Sequence, residues 1–449
     1  MTAPGPAVSR RLRWRSRGLA LLNVAPEEAG GVLAGFLLFF LLFTGYFMLR
    51  PVRETMGIAG GVENLQWLFT GTFVATLLAM PVFGWIAARA SRRRILPWCF
   101  GFFALNLLGF SAGLAAAPED VWLARAFYIW LSVFNLIAIS LGWSLHADLF
   151  SPGAAKRLFA LVAAGASLGG LAGPLLGVAL VGPLGQPGLL LLSALLLLAS
   201  ILAASALQRW RDRHPRPGAD AAPRRAPLGG SPFAGATALL GSRYLLGIAL
   251  FVLLLASVTT FLYFEQARLV AEAFPDRADQ TRFFGMIDAI VQAFSLATQF
   301  FLAGRIAERF GVGTLLVAVP LVVAAGFLWL AFAPVFAVMA VVMVVRRAGE
   351  YALVRPGREM LFTAVPVEEK YKAKNFIDSA VYRGADAVSG WLKALIDLLA
   401  QHPAVAALAG AVISLLWAAT GWSLARALGR RTAAGRSEGP LVAAPGEAG

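Results

Sequence analysis

Gly304-Arg-Ile-Ala-Glu308-Arg309-Phe-Gly311 has a counterpart 220 residues earlier, Gly84-Trp-Ile-Ala-Ala88-Arg89-Ala-Ser-Arg92. Each copy follows the second long apolar run of its half of the chain. A charged loop that recurs at matching places in two halves marks an internal repeat, and parallel repeats related by an axis along the membrane normal are one known form of it. The glycines are expected to let neighbouring helices approach closely. The acid and the arginine are expected to pair with each other and with nearby helix ends. Gly84, Arg89, Gly304, Glu308, Arg309 and Gly311 are therefore the expected latch residues. The first copy has Ala88 in place of the acid. A second trace of repetition sets Leu149-Phe150, a basic loop and Gly165 against Leu361-Phe362, a basic loop and Gly384.

Composition places these loops in a membrane protein. Of 449 residues, 59% are hydrophobic and 14% charged, and the mean hydropathy is +0.73. Soluble domains carry about 25% charged residues. The net charge is +15, from 39 Lys and Arg against 24 Asp and Glu. The basic residues sit between apolar runs, which fits membrane orientation rather than nucleic-acid binding. The lone Cys99 excludes an internal disulfide framework. The scattered His146, His214 and His402 offer no metal-ligand spacing.

A crossing helix needs about 20 mostly apolar residues. That rule predicts spans near 32–50, 65–88, 95–117, 122–145, 157–181 and 188–208. Six more follow near 243–267, 283–306, 313–332, 334–354, 375–398 and 404–428. The polar break from Asn23 to Gly31 separates the N-terminal arginines from the first span, so it reads as an uncleaved helix. The Lys- and Arg-rich loops alternate with loops poor in both, so both termini are expected in the cytoplasm. The organisation expected is all-α with a six-plus-six parallel repeat. It comprises a basic tail at 1–31, a six-helix bundle at 32–208, a cytoplasmic linker at 209–242, a second bundle at 243–428 and a disordered tail at 429–449.

Charges inside apolar spans cost a few kcal/mol and usually line a cavity or pair with one another. Arg50-Pro-Val-Arg53-Glu54 ends the first span, and Arg355-Pro-Gly-Arg358-Glu359 repeats the pattern in the tenth. Arg346-Arg347-Ala-Gly-Glu350-Tyr351 leads into the second copy. Lys374, Asp378 and Tyr382 then recur at helical spacing as one stripe, with Asn375, Ser379 and Arg383 as the next. Lys374 and Asp378 are also placed for an i, i+4 ion pair. Asp148 near the end of span four and Asp288 in span eight are the coupling candidates. Gly165, Gly169 and Gly173 form a small-residue face suited to close helix packing. No nucleophile-base constellation suggests an enzyme.

Three stretches carry a family resemblance. Leu49-Arg50-Pro-Val-Arg53-Glu54-Thr-Met56 resembles Leu-Arg-x-x-Lys-Asp-x-Leu. Ala155-Lys156-Arg157-Leu-Phe159 with Gly165-Ala-Ser resembles Ala-Lys-Arg-Phe-Tyr with Gly-Ala-Asn. Lys372-Ala-Lys374-Asn-Phe-Ile377-Asp378-Ser-Ala-Val-Tyr382-Arg383-Gly-Ala-Asp386 resembles Lys-x-Lys-Ala-Ala-Ile-Asp-Val-Val-x-x-Arg-x-Gly-Lys. Together they resemble the non-mitochondrial ATP/ADP translocase family, a branch of the major facilitator superfamily, whose loop signature Gly-x-x-x-Asp/Glu-Arg-x-Gly the 304–311 copy also resembles. The resemblance implies a nucleotide antiporter of a bacterial inner membrane, with a small anionic solute as cargo. Arg50, Arg53, Glu54, Arg358, Lys374, Asp378, Arg383 and Asp386 are the implied substrate-binding set, and Arg50, Arg53 and Arg358 are expected to share a cavity. Asp386 stands where the family pattern has lysine, which weighs against a triphosphate or diphosphate. A proton-coupled facilitator for a non-nucleotide solute and a non-transporting sensor or scaffold are the alternatives. The protein is expected to act as a monomer among membrane lipids, with no cofactor, metal or nucleic acid.

Overall fold

A computed structural model describes residues 24–89, 92–147, 152–214, 234–301, 303–400 and 402–437. Every regular element among them is helical. Four rods come first: α1 (Ala29–Ala59), α2 (Leu65–Arg89), α3 (Arg92–Ala116) and α4 (Val121–Ala147). The continuous stretch Pro152–Arg213 breaks at Gly185, whose φ of 64° suits glycine alone. It therefore makes two rods, α5 (152–184) and α6 (186–213). Next come α7 (Arg243–Ala273) and α8 (Arg277–Phe301). Gly311, at φ 75°, breaks Ala303–Phe332 and leaves α9 as 312–332.

The last three rods are less regular. α10 joins Phe336–Gly349, a π-helical turn Glu350–Val354 and Arg355–Leu361. α11 joins Val367–Phe376, a second π-helical turn Ile377–Val381 and Tyr382–Ala400. α12 is Pro403–Ser437. All twelve expected spans thus have a helical rod. Among the described residues, eight helices are long and apolar enough to cross a bilayer, one of them the α5–α6 stretch. The other rods, α8, α10 and α11, are those richest in buried charge.

The described residues form two compact units that do not coincide with the sequence halves. One holds residues 24–64, 74–214 and 270–292, and the other holds 65–73, 234–269 and 293–437. The start of α8 thus belongs with the first-half helices, and the start of α2 with the second-half helices.

In the first unit, α1 and α5 pack backbone to backbone. A Cβ on Gly169 would lie 2.5 Å from the Phe40 carbonyl oxygen, and one on Gly173 2.6 Å from that of Thr44. Gly165 faces the Phe36 carbonyl in the same way. Both partners advance by four residues per step, so the helices run parallel, as two outward crossings must. The expected small-residue face is this seam. Bare glycine lets Cα–H groups approach carbonyl oxygens at a distance any side chain forbids. Beyond it, Trp130 stacks on Phe134 at 5.3 Å and meets Phe103 and Phe110 edge-on or tilted.

The start of α8 is clasped into this unit. Thr281 shares a 2.9 Å hydrogen bond with Thr55 of α1 and accepts one of 3.0 Å from Gln186. Arg277 donates to the Pro118 carbonyl and pairs with Glu119 at 2.8 Å. In the second unit the start of α2 lies on α11. Trp67 and Trp391 meet edge to face at 4.8 Å, and Trp391 donates to Thr70 at 3.0 Å. The basic-residue rule puts these ends on the non-cytoplasmic side.

One expectation fails. Nothing lies within 4 Å of a Cβ built on Gly84. This glycine is exposed and permits no close approach here, because Phe83 and Ile86 on the other side of α2 make the contact with the core. A paired test follows. Gly169→Ala forces a methyl against backbone and should cost about 1–3 kcal/mol, read as a lower thermal unfolding midpoint in detergent. Gly84→Ala should be neutral. Equal midpoints for both would remove the seam from the list of stabilising contacts.

Candidate functional site

In the first unit the polar residues gather at the outer third of α1. Arg50 Nε lies 3.8 Å from Asp288 Oδ2 of α8, and Asp288 is only 3% exposed. Arg53 pairs with Glu54 at 3.1 Å, donates through Nε to the Tyr128 carbonyl at 3.3 Å and stacks on the Tyr128 ring at 3.8 Å. Three contacts hold Arg53 to α1 and α4, so it clasps the two helices. Glu54 Oε2 is buried without a hydrogen-bond partner among the described residues.

The second unit holds a larger cluster on α7, α10 and α11. Arg346 is buried and donates through Nη1 to Glu350 at 2.8 Å and to Thr259 at 2.9 Å. Arg355 Nε lies 3.9 Å from the other Glu350 oxygen, and its guanidinium stacks on Tyr351 at 4.2 Å. Arg347 is buried beside this group. Arg358 of α10 reaches Asp378 of α11 at 3.1 Å, and Lys374 of α11 reaches back to Glu359 of α10 at 2.5 Å. Arg383 donates to Asp386 at 3.3 Å, and Thr260 of α7 donates to its other oxygen at 3.2 Å. Deeper along α11, Ser389 and Ser257 share a bond of 2.7 Å.

These contacts revise the helical-stripe reading. The helix carries a π turn at 377–381 that includes Asp378. The close ion pairs of both side chains go to α10, Asp378 to Arg358 and Lys374 to Glu359. The Arg383–Asp386 pair is the expected same-helix contact. π turns rarely occur and often mark functional sites; here each lies within its own charged run.

The two Arg-Pro-x-Arg-Glu copies fall in different units, and acids from distinct helices serve each. Asp148 lies outside the described residues, as do the surroundings of Gly304 and the side chain of Glu308, so the acid-arginine pairing of the expected latch is not described. Arg89 stacks on Trp85 at 4.4 Å and Arg309 on Phe310 at 5.7 Å. Gly311 has the positive φ that ends its loop. Sequence reading noticed the 346–351 run but not its role. Arg346 and Glu350 stand four apart, which was the available signal. Thr259, Thr260 and the π turns left none.

The Major Facilitator Superfamily model matches residues 32–273, more than half of the chain. The chain belongs to the major facilitator superfamily. It is a multi-pass membrane transporter. Among solved structures, a bacterial homologue of the human lysosomal transporter Spinster, inward-facing and unoccupied, aligns with TM-score 0.62 at 15% identity, covering 91% of this chain and 98% of that one. The human organic anion transporter MFSD10 aligns with TM-score 0.56 at 18% identity, over 88% and 100% of the two chains. The nucleoside transporter NupG aligns with TM-score 0.56 at 13% identity, over 89% and 99%. At these identities the likeness is one of fold. No curated protein matches the sequence.

Removing one member of a buried ion pair strands the other and costs about 3–5 kcal/mol. Glu350→Gln should therefore lower the unfolding midpoint strongly. Replacing both partners, Arg346→Met with Glu350→Leu, should restore most of it. A double variant no more stable than Glu350→Gln would show that the pair is not the stabilising unit.

Proposed function

We propose that this transporter moves a small anionic metabolite across a bacterial cytoplasmic membrane by alternating access. A nucleotide or a related phosphorylated compound is the leading cargo. The Arg358–Asp378 bridge carries the reading. Arg358 is largely buried between α10 and α11, and its Nε has no hydrogen-bond partner among the described residues. A guanidinium donates two parallel hydrogen bonds to phosphate or carboxylate oxygens. An arriving anion would compete with Asp378 for it and supply an acceptor for the spare donor.

Arg383 and Lys374 support the same site, each held by an acid that a cargo would displace. The ATP/ADP translocase resemblance falls on these residues. Asp386, fixed by Thr260 and Arg383, presents a carboxylate where that family pattern has a cation. A carboxylate within about 4 Å of a phosphate oxygen is repelled by roughly 4 kcal/mol at an effective dielectric near 20. A cargo with one phosphate fits better than a triphosphate.

The Arg50–Asp288 pair favours a second reading, proton coupling, which also suits a non-nucleotide solute. It joins a first-half helix to a second-half helix, and Asp288 is almost wholly buried. Protonation removes the charge that holds Arg50. A proton on Asp288 would release Arg50 toward an anion and loosen α1 from α8 in one event.

Counterflow in proteoliposomes, across nucleotides, organic anions and sugars, tests the cargo. Arg358→Ala should reduce anion uptake by roughly 30-fold or more, since truncating one buried charge contact costs about 2–5 kcal/mol. Full uptake in that variant would remove Arg358 from the site. Asp288→Asn should retain counterflow and lose acceleration by a pH gradient; a gradient response equal to wild type would exclude Asp288 from coupling. Asp386→Lys should raise ATP/ADP exchange, and unchanged exchange would exclude the electrostatic argument.

A further inference from the structure

Lys393 is a buried cation on α11 that the proposed site does not use. Its side chain is 7% exposed, and its ammonium donates to both oxygens of Asp397, at 2.6 and 2.5 Å. Asp397 itself is 47% exposed. Two turns of α11 separate Lys393 from Asp386, on the same helix face, with Ser389 between them. Asp378, Asp386 and Asp397 thus form a ladder of acids along one helix, each held by a cation: Arg358, Arg383 and Lys393. At about 1.5 Å per residue, the ladder spans roughly 28 Å, close to the hydrocarbon thickness of a bilayer.

The turn of α11 just before Lys393 is covered by the start of α2. Gln66 of α2 lies against Gly390, 3.4 Å from where its Cβ would be, and Trp67 and Thr70 hold Trp391. Lys393 sits one turn beyond Gly390. A buried ammonium in a membrane span is costly and rare, and marks a solute path more often than a scaffold. An ordinary interfacial lysine would extend its amine to water; here the lysine is buried and its acid partner is exposed.

We propose that Lys393 with Asp397 is an outer docking station for the anionic cargo, uncovered when the start of α2 leaves α11. This inference rests on the anion-transport reading. In the outward-open state the anion displaces Asp397 from Lys393 and then passes to the Arg383 and Arg358 level. Asp397 is a competitor, so its removal should strengthen docking, whereas loss of Lys393 should weaken it. A purely structural ion pair would suffer from either loss.

The test is AMP counterflow in oriented proteoliposomes, with half-saturation measured separately from the outer and inner faces. Lys393→Met should raise the outer value on the order of tenfold and leave the inner value within about twofold. Lys393→Arg should keep both near wild type. Asp397→Asn should lower the outer value. Lys393→Met and Asp397→Asn shifting the outer value in the same direction would overturn the proposal. So would equal shifts at both faces. Arg358→Ala serves as the control for the underlying reading, since it should impair both faces alike. If wild-type protein carries no AMP, both readings fall. If it does and Arg358→Ala fails at both faces while Lys393→Met changes nothing, only the docking station falls.

Discussion

A bilayer gives a buried charge nowhere to go except toward another charge. Much of the chain's less regular architecture answers that constraint. Arg50 and Asp288 tie α1 to α8, and Arg358 and Asp378 tie α10 to α11. Arg346 and Glu350 close one turn of α10 and recruit Thr259 from α7. The apolar rods gain no hydrophobic drive from meeting one another, because lipid is as apolar as their side chains, so close packing alone fixes them. The charged rods carry a further constraint. Each ion pair fixes a height and a rotation, and an exchange of partners is the natural way for such helices to move.

The two units solve close helix packing differently. α1 and α5 use bare glycine, so their contact depends on van der Waals approach and has no polar group to titrate or displace. α7 and α11 meet through Ser257 with Ser389 and Thr260 with Asp386. Hydroxyls and a carboxylate hold a helix pair by directional bonds, which a charged ligand can compete for. The glycine seam therefore has nothing polar to exchange, whereas the hydroxyl seam is built from bonds that can be exchanged. Both π turns also lie in the second unit, where an extra residue per turn re-aims side chains without ending the helix.

The sequence determined the membrane class, the twelve rods and the small-residue face of α5. These depend on local quantities: apolar length, charge between spans, and glycine at four-residue spacing. It also located the polar runs at 50–54, 346–359 and 374–386. It did not reveal which charge meets which. Lys374 and Asp378 look like partners at i, i+4, yet their close ion pairs are with Glu359 and Arg358 of α10. Asp288 reads as an isolated acid until α8 docks on α1. Gly84 reads as a packing glycine, yet its neighbourhood is empty. Lys393 and Asp397 stand four apart, but only burial distinguishes a cation in a helix interior from one at the lipid interface. Helix phase and inter-helix docking are global properties, set by all the packed neighbours at once. Composition and spacing along one segment therefore determine that a charge is present, and the tertiary fold decides its partner.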